Sequence, residues 1–270
     1  MSIWRTLGNR LFPLGTQGPD GPLAKIAAGY VRFVPLVVLL ATLSSAWWPA
    51  PLDGEAFAPG AALPWFARLS LAGAFLGAVA TVACTAMIYA SLKPIPAWRH
   101  RAVLPVYAGF ALLTGGLLLA TLLAAGGDRP ALVEAGALVG LLLAVALAVG
   151  KRRYWRDIDR GAMPASRASA LGLPADRVAT VFERPHTEAN YLTKEMGFVV
   201  ARRHARRLRQ MAVALFGVMP AVLCAGVLIA GGEAAALLLA LASIAALLGA
   251  LVERWLFFAE AKHLVMTYYQ

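Results

Sequence analysis

Charged residues and cysteines are both scarce in this sequence. Of its 270 residues, 14% are charged and 60% are hydrophobic, with a mean hydropathy of +0.69, whereas a soluble domain is about 45–50% apolar and about 25% charged. The two cysteines, Cys84 and Cys224, each fall within an apolar run. Two thiols exclude a four-cysteine zinc site, a thiolate-ligated iron–sulfur cluster and a disulfide framework within this chain. We predict that both are small residues of membrane-helix packing.

Histidines and catalytic motifs are scarce as well. Of the four histidines, His100, His186 and His204 lie in loop sequence and His263 follows the last apolar run, whereas a haem-bearing membrane subunit needs histidines within its spans. The sequence contains no phosphate-cradling glycine loop, no HExxH motif and no convincing Ser/His/Asp arrangement. We therefore predict no catalytic residue, no metal ligand, and no haem, molybdenum or iron–sulfur cluster in this chain.

Long apolar runs are what the sequence has instead. A bilayer core takes about 20 residues of helix to cross, and six runs meet that length: about Ala27–Trp47, Ala67–Ala90, Val103–Ala125, Ala131–Gly150, Met211–Ala230 and Ala234–Val252. They predict an all-α integral membrane protein with about six transmembrane helices, in which residues 1–270 form a single membrane-anchor domain.

Basic residues concentrate in every second connection between these runs. The short segment KPIPAWRHR follows the second run, and residues 151–210 carry 14 Lys and Arg against six Asp and Glu. The positive-inside rule makes such connections cytoplasmic. It predicts that both termini are cytoplasmic and that 151–210 is a long basic cytoplasmic loop, with an interfacial helix at about 191–209. The net charge of +11 is thus explained by membrane topology and not by nucleic acid.

Polar residues gather at the predicted cytoplasmic boundary. Most are explained by interfacial anchoring through basic and aromatic side chains. Glu253 and Glu260 are less easily explained, because carboxylates are costly near the apolar layer and are usually paired or functional there. Carboxylates and histidine beside aromatic surface would suit a quinone head group, which needs hydrogen-bond donors and a proton route.

Four segments, in this order, carry a resemblance to a known family: Cys84–Trp98, Tyr154–Asp159, Pro185–Arg209 and Glu253–Tyr269. They resemble the membrane-anchor subunits of dimethyl sulfoxide reductase-type molybdoenzymes, closest to the branch that serves cytoplasmic sulfite dehydrogenase (sulfite:quinone oxidoreductase). The resemblance implies a complex in the bacterial inner membrane with a molybdopterin catalytic subunit and an iron–sulfur subunit. The anchor would pass electrons from sulfite oxidation to ubiquinone or menaquinone.

Site residues follow from the resemblance and from the predicted topology. We expect the quinone head group among Tyr89, Lys93, Arg254 and His263. We expect cytoplasmic partner subunits to dock on a larger set: Trp98, Arg99, Tyr154, His186, Glu188, Tyr191, Glu195 and Arg202.

Two alternatives stay open. One is an anchor for a dimethyl sulfoxide or related reductase, which would oxidise quinol and usually holds its catalytic subunit on the periplasmic side. The other is a small membrane transporter, although no internal repeat is visible. The N-terminal region also departs from the family, whose members are expected to have about eight spans with an additional helix at the start.

Overall fold

The chain is described here from a computed structural model, which describes residues 65–127, 129–161, 166–174, 176–180, 182 and 199–264. All regular secondary structure in these ranges is helical, which confirms the all-α prediction. Five helices there are long and apolar enough to cross a membrane: Arg68–Ala90, Val103–Gly126, Pro130–Arg160, Ala205–Ala230 and Ala234–Ala259. They correspond to five of the six apolar runs, and the run Ala27–Trp47 lies outside the described residues.

The helices are numbered in chain order. Their bounds are α1 Trp65–Ala90, α2 Val103–Gly126, α3 Pro130–Arg160, α4 Arg167–Ala170, α5 Val199–Arg203, α6 Ala205–Val213, α7 Met219–Ala230 and α8 Ala234–Ala259. A π-helical turn, Ala214–Val218, joins α6 to α7, so that these two helices form one span. Pro220 explains this turn, because its nitrogen carries no proton to donate to the carbonyl of Phe216 four residues earlier.

The chain divides into two compact units, residues 1–91 and 92–270, which are described separately. In the first unit, two threonines of α1 pair their hydroxyl groups within the helix. Thr81 donates to the carbonyl of Gly77 and Thr85 to that of Thr81, each at 2.8 Å. Hydrogen bonds of this kind let hydroxyl side chains sit within an apolar helix.

The second unit is built on four long antiparallel segments. Going round this bundle, α2 neighbours α3, α3 neighbours α7, α7 neighbours α8, and α8 neighbours α2. At one end, α2 begins and α3 and α8 finish. We call it the basic end, because the arginines of Lys151–Arg160 and of α6 lie there. The other end, where α2 leads into α3 and α7 into α8, is called the turn end.

Small residues let the helices of the bundle approach closely, as is usual between membrane helices. A Cβ added at Gly249 of α8 would lie 2.7 Å from the Cβ and 2.9 Å from the Cα of Phe216. A Cβ added at Gly140 would lie 3.2 Å from the sulfur of Cys224, which is fully buried. Cys224 is therefore part of the helix packing, as predicted.

Helix α3 continues ten residues beyond the apolar run that predicted it, as far as Arg160. The predicted loop 151–210 therefore starts with helix. Lys151, Tyr154 and Trp155 are buried at helical spacing, whereas Arg152, Arg153, Arg156 and Arg160 are exposed, and this two-faced pattern keeps the segment helical against the bundle. At the far side of the loop, residues 183–198 lie outside the described residues, and α5 and α6 are separated by a break at His204.

Candidate functional site

A buried ion pair joins α3 to α8 at the basic end. Lys151 Nζ lies 2.5 Å from Glu253 Oε1, and the two residues are 1% and 0% exposed. Lys151 is 21 residues after the start of α3 and Glu253 is 19 after the start of α8, which places them about 31 and about 28 Å along their helices. Since the hydrocarbon core is about 30 Å thick, we expect the pair to lie where these helices leave the apolar layer.

Arg254 extends this pair towards the aromatic side of α8. Its Nε and Nη2 each lie 2.6 Å from Glu253 Oε2. Its guanidinium carbon lies 4.1 Å from the ring centre of Tyr107 and 4.6 Å from that of Phe257. Its remaining nitrogen, Nη1, is buried and has no hydrogen-bond acceptor among the described residues. A buried guanidinium N–H calls for an oxygen acceptor, so Arg254 could receive one from a ligand.

The connection between α1 and α2 is fastened to the end of α8 through Trp98. Its indole Nε1 donates to the carbonyl of Phe257 at 2.9 Å, and the two rings stack with centres 5.5 Å apart. Phe257 thus has Arg254 on one side and Trp98 on another. The result is an aromatic surface of Tyr107, Phe257 and Trp98 around a cation.

Two buried aromatic side chains stand between the ion pair and the next layer of polar residues. Lys151 Nζ lies 4.0 Å from the ring centre of Tyr154 and 4.9 Å from that of Trp155. On the other side, Tyr154 donates from its hydroxyl to the carbonyl of Ala97 at 3.2 Å, and the Arg209 guanidinium carbon lies 5.4 Å from the Trp155 ring centre. Tyr154 and Trp155 therefore contact the buried Lys151 on one side and, on the other, Ala97 and Arg209, which line a cleft.

The cleft at the basic end has a volume of about 600 Å³. Charged and titratable side chains are seven of its twelve lining residues: His100, Asp157, Asp159, Arg202, Arg209, Glu260 and Lys262, beside Pro96, Ala97, Ile158, Gly161 and Ala205. Histidine and carboxylates are the side chains that exchange protons most readily near neutral pH. The cleft can accordingly supply protons close to the buried pair.

Arg209 holds together the carboxylates on one side of this cleft. It donates to both oxygens of Asp159, at 2.5 and 2.9 Å, and to Glu260 Oε1 at 2.8 Å. Burial raises the pKa of Glu260 above its usual range, and the neighbouring guanidinium of Arg209 works against that rise. Lys151, Arg254 and Arg209 together balance Glu253, Glu260 and Asp159, so these six charges sum to zero.

His100 bridges the connection before α2 to the last turns of α3. The backbone N–H of Ala102 donates to its Nδ1 at 3.1 Å, and its Nε2 lies 3.3 Å from Asp157 Oδ2. With Nδ1 accepting, the ring proton is assigned to Nε2. Burial lowers the pKa of His100, and the attraction of Asp157 opposes this only in part. The ring is therefore neutral at pH 7 and can both donate and accept.

Arg202 closes the end of α8. Its Nε donates to the carbonyl of Ala259 at 3.1 Å and its Nη2 to that of Ala261 at 3.0 Å. The last carbonyls of a helix have no partner within the helix, so this guanidinium stabilises the point where α8 stops. A role in docking a partner remains a prediction for Arg202.

Three of the predicted quinone-binding residues, Lys93, Arg254 and His263, belong to the second unit. The N–H of Leu264 donates to the carbonyl of Pro94 at 2.9 Å, which brings the segments of Lys93 and His263 side by side. Arg254 lies nine residues before His263, within α8. Tyr89 belongs to the first unit, as the second-last residue of α1.

Among the predicted docking residues, Trp98, Tyr154 and Arg202 make the internal contacts described above. Arg99 is exposed in the turn before α2. Four others lie outside the described residues: His186, Glu188, Tyr191 and Glu195. Docking by all eight residues remains a prediction.

The structure also identifies residues that were not predicted as site residues. Lys151 and Glu253 each directly end an apolar run of about twenty residues, a position that costs free energy unless the charge is paired. That signal was present in the sequence, but their mutual contact was not. In the part of the chain that is described, no three His, Cys, Asp or Glu side chains are grouped so as to hold a metal ion.

The fold and this site define a multi-pass α-helical membrane protein with a charged, aromatic-lined site at one end of its bundle. The chain is similar to a sulfite dehydrogenase subunit of Allochromatium vinosum, with 28% identity over 228 residues that cover 83% of this chain. This similarity confirms the predicted resemblance. The matched region spans 66% of that relative's length. No family model matches the sequence, and no solved structure matches it.

Proposed function

We propose that this chain is the quinone-reactive membrane anchor of a sulfite-oxidising molybdoenzyme complex. Electrons would pass from sulfite oxidation in a molybdopterin subunit, through an iron–sulfur subunit, to ubiquinone or menaquinone at this chain. The observation that carries the proposal is the similarity to a subunit of a sulfite dehydrogenase over 83% of the sequence. Chemistry that needs molybdenum or iron belongs to the partner subunits.

Among the described residues, those of the basic end best suit a quinone. A quinone head group is a flat ring that carries two carbonyl acceptors, so it needs aromatic surface and N–H donors. Arg254 offers a buried Nη1 without an acceptor among the described residues, between the rings of Tyr107 and Phe257. The depth of Arg254 near the end of an apolar helix lets the isoprenoid tail remain in the lipid. Quinone-binding roles for His263 and Lys93 in the second unit, and for Tyr89 in the first unit, remain proposals.

The proposed orientation places the basic end in the cytoplasm, in a bacterial inner membrane. It rests on the positive-inside rule applied to Lys93–Arg101 and to residues 151–210. The iron–sulfur subunit would then dock from the cytoplasm, close to Arg254 and the cleft. A short distance from the last cluster to the quinone is what electron transfer requires.

Rates of sulfite oxidation with two different electron acceptors distinguish the proposed function from its alternatives. Purified complex is given sulfite with either a short-chain ubiquinone or ferricyanide as electron acceptor. Arg254→Gln should lower the rate with quinone at least tenfold, because it removes the donor to the head group, and should leave the ferricyanide rate unchanged, because that acceptor takes electrons from the soluble subunits. The same tests on His263→Gln and Lys93→Gln define the rest of the site.

Three outcomes would contradict the proposal. A chain that purifies alone, without molybdenum or iron, indicates a transporter. A complex that oxidises quinol while reducing a sulfoxide indicates the reductase alternative. Unchanged quinone reduction by Arg254→Gln removes this residue from the site.

A further inference from the structure

We propose that the buried Lys151–Glu253 pair is the proton donor for quinone reduction at the Arg254 site. The proposal rests on the function proposed above and assigns a role to two residues outside the predicted quinone site. A pair of charges buried where a span leaves the apolar layer is costly and needs a reason to be there. Helix packing alone could be achieved here by apolar side chains.

The pair occupies the position between a proton source and the proposed head group. On one side, Glu253 contacts Arg254 through Oε2 at 2.6 Å. On the other, Lys151 lies behind Tyr154, whose ring it contacts at 4.0 Å. Tyr154 in turn contacts His100 edge to face at 5.2 Å between ring centres, and His100 lines the cleft.

Of the residues between the cleft and the head group, all except Arg254 can exchange a proton. Lysine, glutamate, tyrosine and histidine can each release and regain a proton, whereas the arginine guanidinium stays protonated in proteins. Arg254 therefore binds and orients the quinone head group, while Lys151 and Glu253 carry the protons. The charged and titratable groups that act on the pair or contact it are Arg254 on α8, Glu260 directly after α8, Tyr154 on α3 and His100 before α2. Arg209 on α6 acts on Tyr154.

A quinone becomes a quinol by taking up two electrons, which the iron–sulfur partner supplies, and two protons. For each proton, an N–H bond of Lys151 breaks as an O–H bond forms on Glu253, and that O–H bond breaks as one forms on a head-group oxygen. A proton from the cleft then restores Lys151. Two such cycles return both residues to their starting states.

Lys151→Arg is the most informative substitution. It preserves the positive charge next to Glu253 and so keeps the ion pair, but a guanidinium does not release its proton. If the pair only joins α3 to α8, Lys151→Arg retains quinone reduction. If the pair donates protons, the rate with quinone falls about a hundredfold, which is at the low end of what general acid catalysis contributes. Glu253→Gln is expected to give the same fall.

The assay uses the whole complex in membrane vesicles, with sulfite as donor and short-chain ubiquinone or ferricyanide as acceptor, between pH 5.5 and 9. In both variants, the ferricyanide rate and the co-purification of partner subunits should match those of the unaltered complex, which shows that assembly is intact. Glu233→Gln, a carboxylate-to-amide change at the turn end, is the matched control and should leave both rates unchanged. If either single substitution prevents assembly, Lys151→Gln/Glu253→Gln, in which two amides can bond to each other, replaces it.

The outcomes distinguish this inference from the proposed function. Unaltered complex without sulfite-dependent quinone reduction contradicts the proposed function itself. Quinone reduction by the unaltered complex that persists within twofold in Lys151→Arg, with the same pH profile, overturns the proton-donor role and leaves the anchor function in place. The proposal is supported if the rate with quinone falls while the rate with ferricyanide does not, and if the pH profile of the quinone rate loses its steepest limb.

Discussion

The two ends of the bundle are built from the same helices but differ in how they handle charge. At the basic end, Lys151, Glu253 and Arg254 are paired beneath a polar cleft of about 600 Å³. At the turn end, a smaller cleft of about 380 Å³ is lined mainly by small and apolar residues, and its Glu134 and Glu233 are exposed. A charge that is buried away from water needs an oppositely charged or hydrogen-bonding partner in a fixed geometry, whereas an exposed charge does not. Function is therefore expected at the basic end.

Removing the buried cation should have the largest effect on stability. Lys151→Met leaves one oxygen of the buried Glu253 carboxylate against an apolar chain, and breaking a buried pair in this way costs about 3–5 kcal/mol. The thermal unfolding midpoint in detergent should fall accordingly. Glu233→Gln at the turn end should change stability by less than about 0.5 kcal/mol. Equal midpoints for the two variants would show that the ends do not differ in this respect.

An added methyl group should destabilise the bundle more near the basic end than near the turn end. In Gly249→Ala the added methyl would meet the backbone of Phe216, whereas in Gly136→Ala it would meet the side chain of Ala120 at 2.9 Å. Overpacking costs about 1–3 kcal/mol, and we expect Gly249→Ala to lie at the upper limit. Gly115→Ala, where nothing lies within 4 Å, is the control. A larger loss for Gly136→Ala in thermal unfolding would reverse the comparison.

The end of α8 should loosen when its cap is removed. Arg202→Lys cannot reproduce the two hydrogen bonds to Ala259 and Ala261, and we expect a local loss of about 1 kcal/mol. Amide hydrogen exchange of residues 256–261 should become about five times faster, while the amides at the end of α7 remain unaffected. Arg203→Lys, at an exposed neighbour, should leave both rates unchanged; acceleration there as well would mean that the cap is not specific.

The smallest expected effect is a pH dependence of stability from His100. Its pKa is lower in the folded protein than in the unfolded chain, so the stability linked to it is fully present above about pH 6.5 and declines as pH falls below that value. Between pH 7.5 and 5.5, the unfolding midpoint of the unaltered protein should therefore fall more than that of His100→Gln. Equal falls would exclude His100 as a source of acid sensitivity at the basic end.

Apolar length predicted most of the fold. A run of about twenty apolar residues determines a spanning helix by itself, and five runs became such helices, three of which extend past the predicted run at the basic end. The end of α3 was not predicted, because the ten residues after Gly150 are mostly charged. Their helix depends on burying Tyr154 and Trp155 against other segments, which is tertiary information.

The site was predicted only in part, for a related reason. Arg254 and Glu253 were recognisable because charge at the end of an apolar run is costly. The partner of Glu253, Lys151, is about one hundred residues away in sequence, and nothing local indicates which of 25 basic residues will meet it. The contacts of Trp98 with Phe257 and of Tyr154 with Ala97 likewise join distant parts of the sequence and were not predicted.

The location of the quinone is the most direct test of this account. Membrane vesicles containing the complex are illuminated with a photoreactive azido-quinone, with and without excess unlabelled quinone, and the labelled peptides are identified by mass spectrometry. We expect displaceable labelling at the basic end, in peptides containing Tyr107 or residues 253–264, and its loss in Arg254→Gln. Displaceable labelling confined to the turn end, around Glu134 and Glu233, would contradict it.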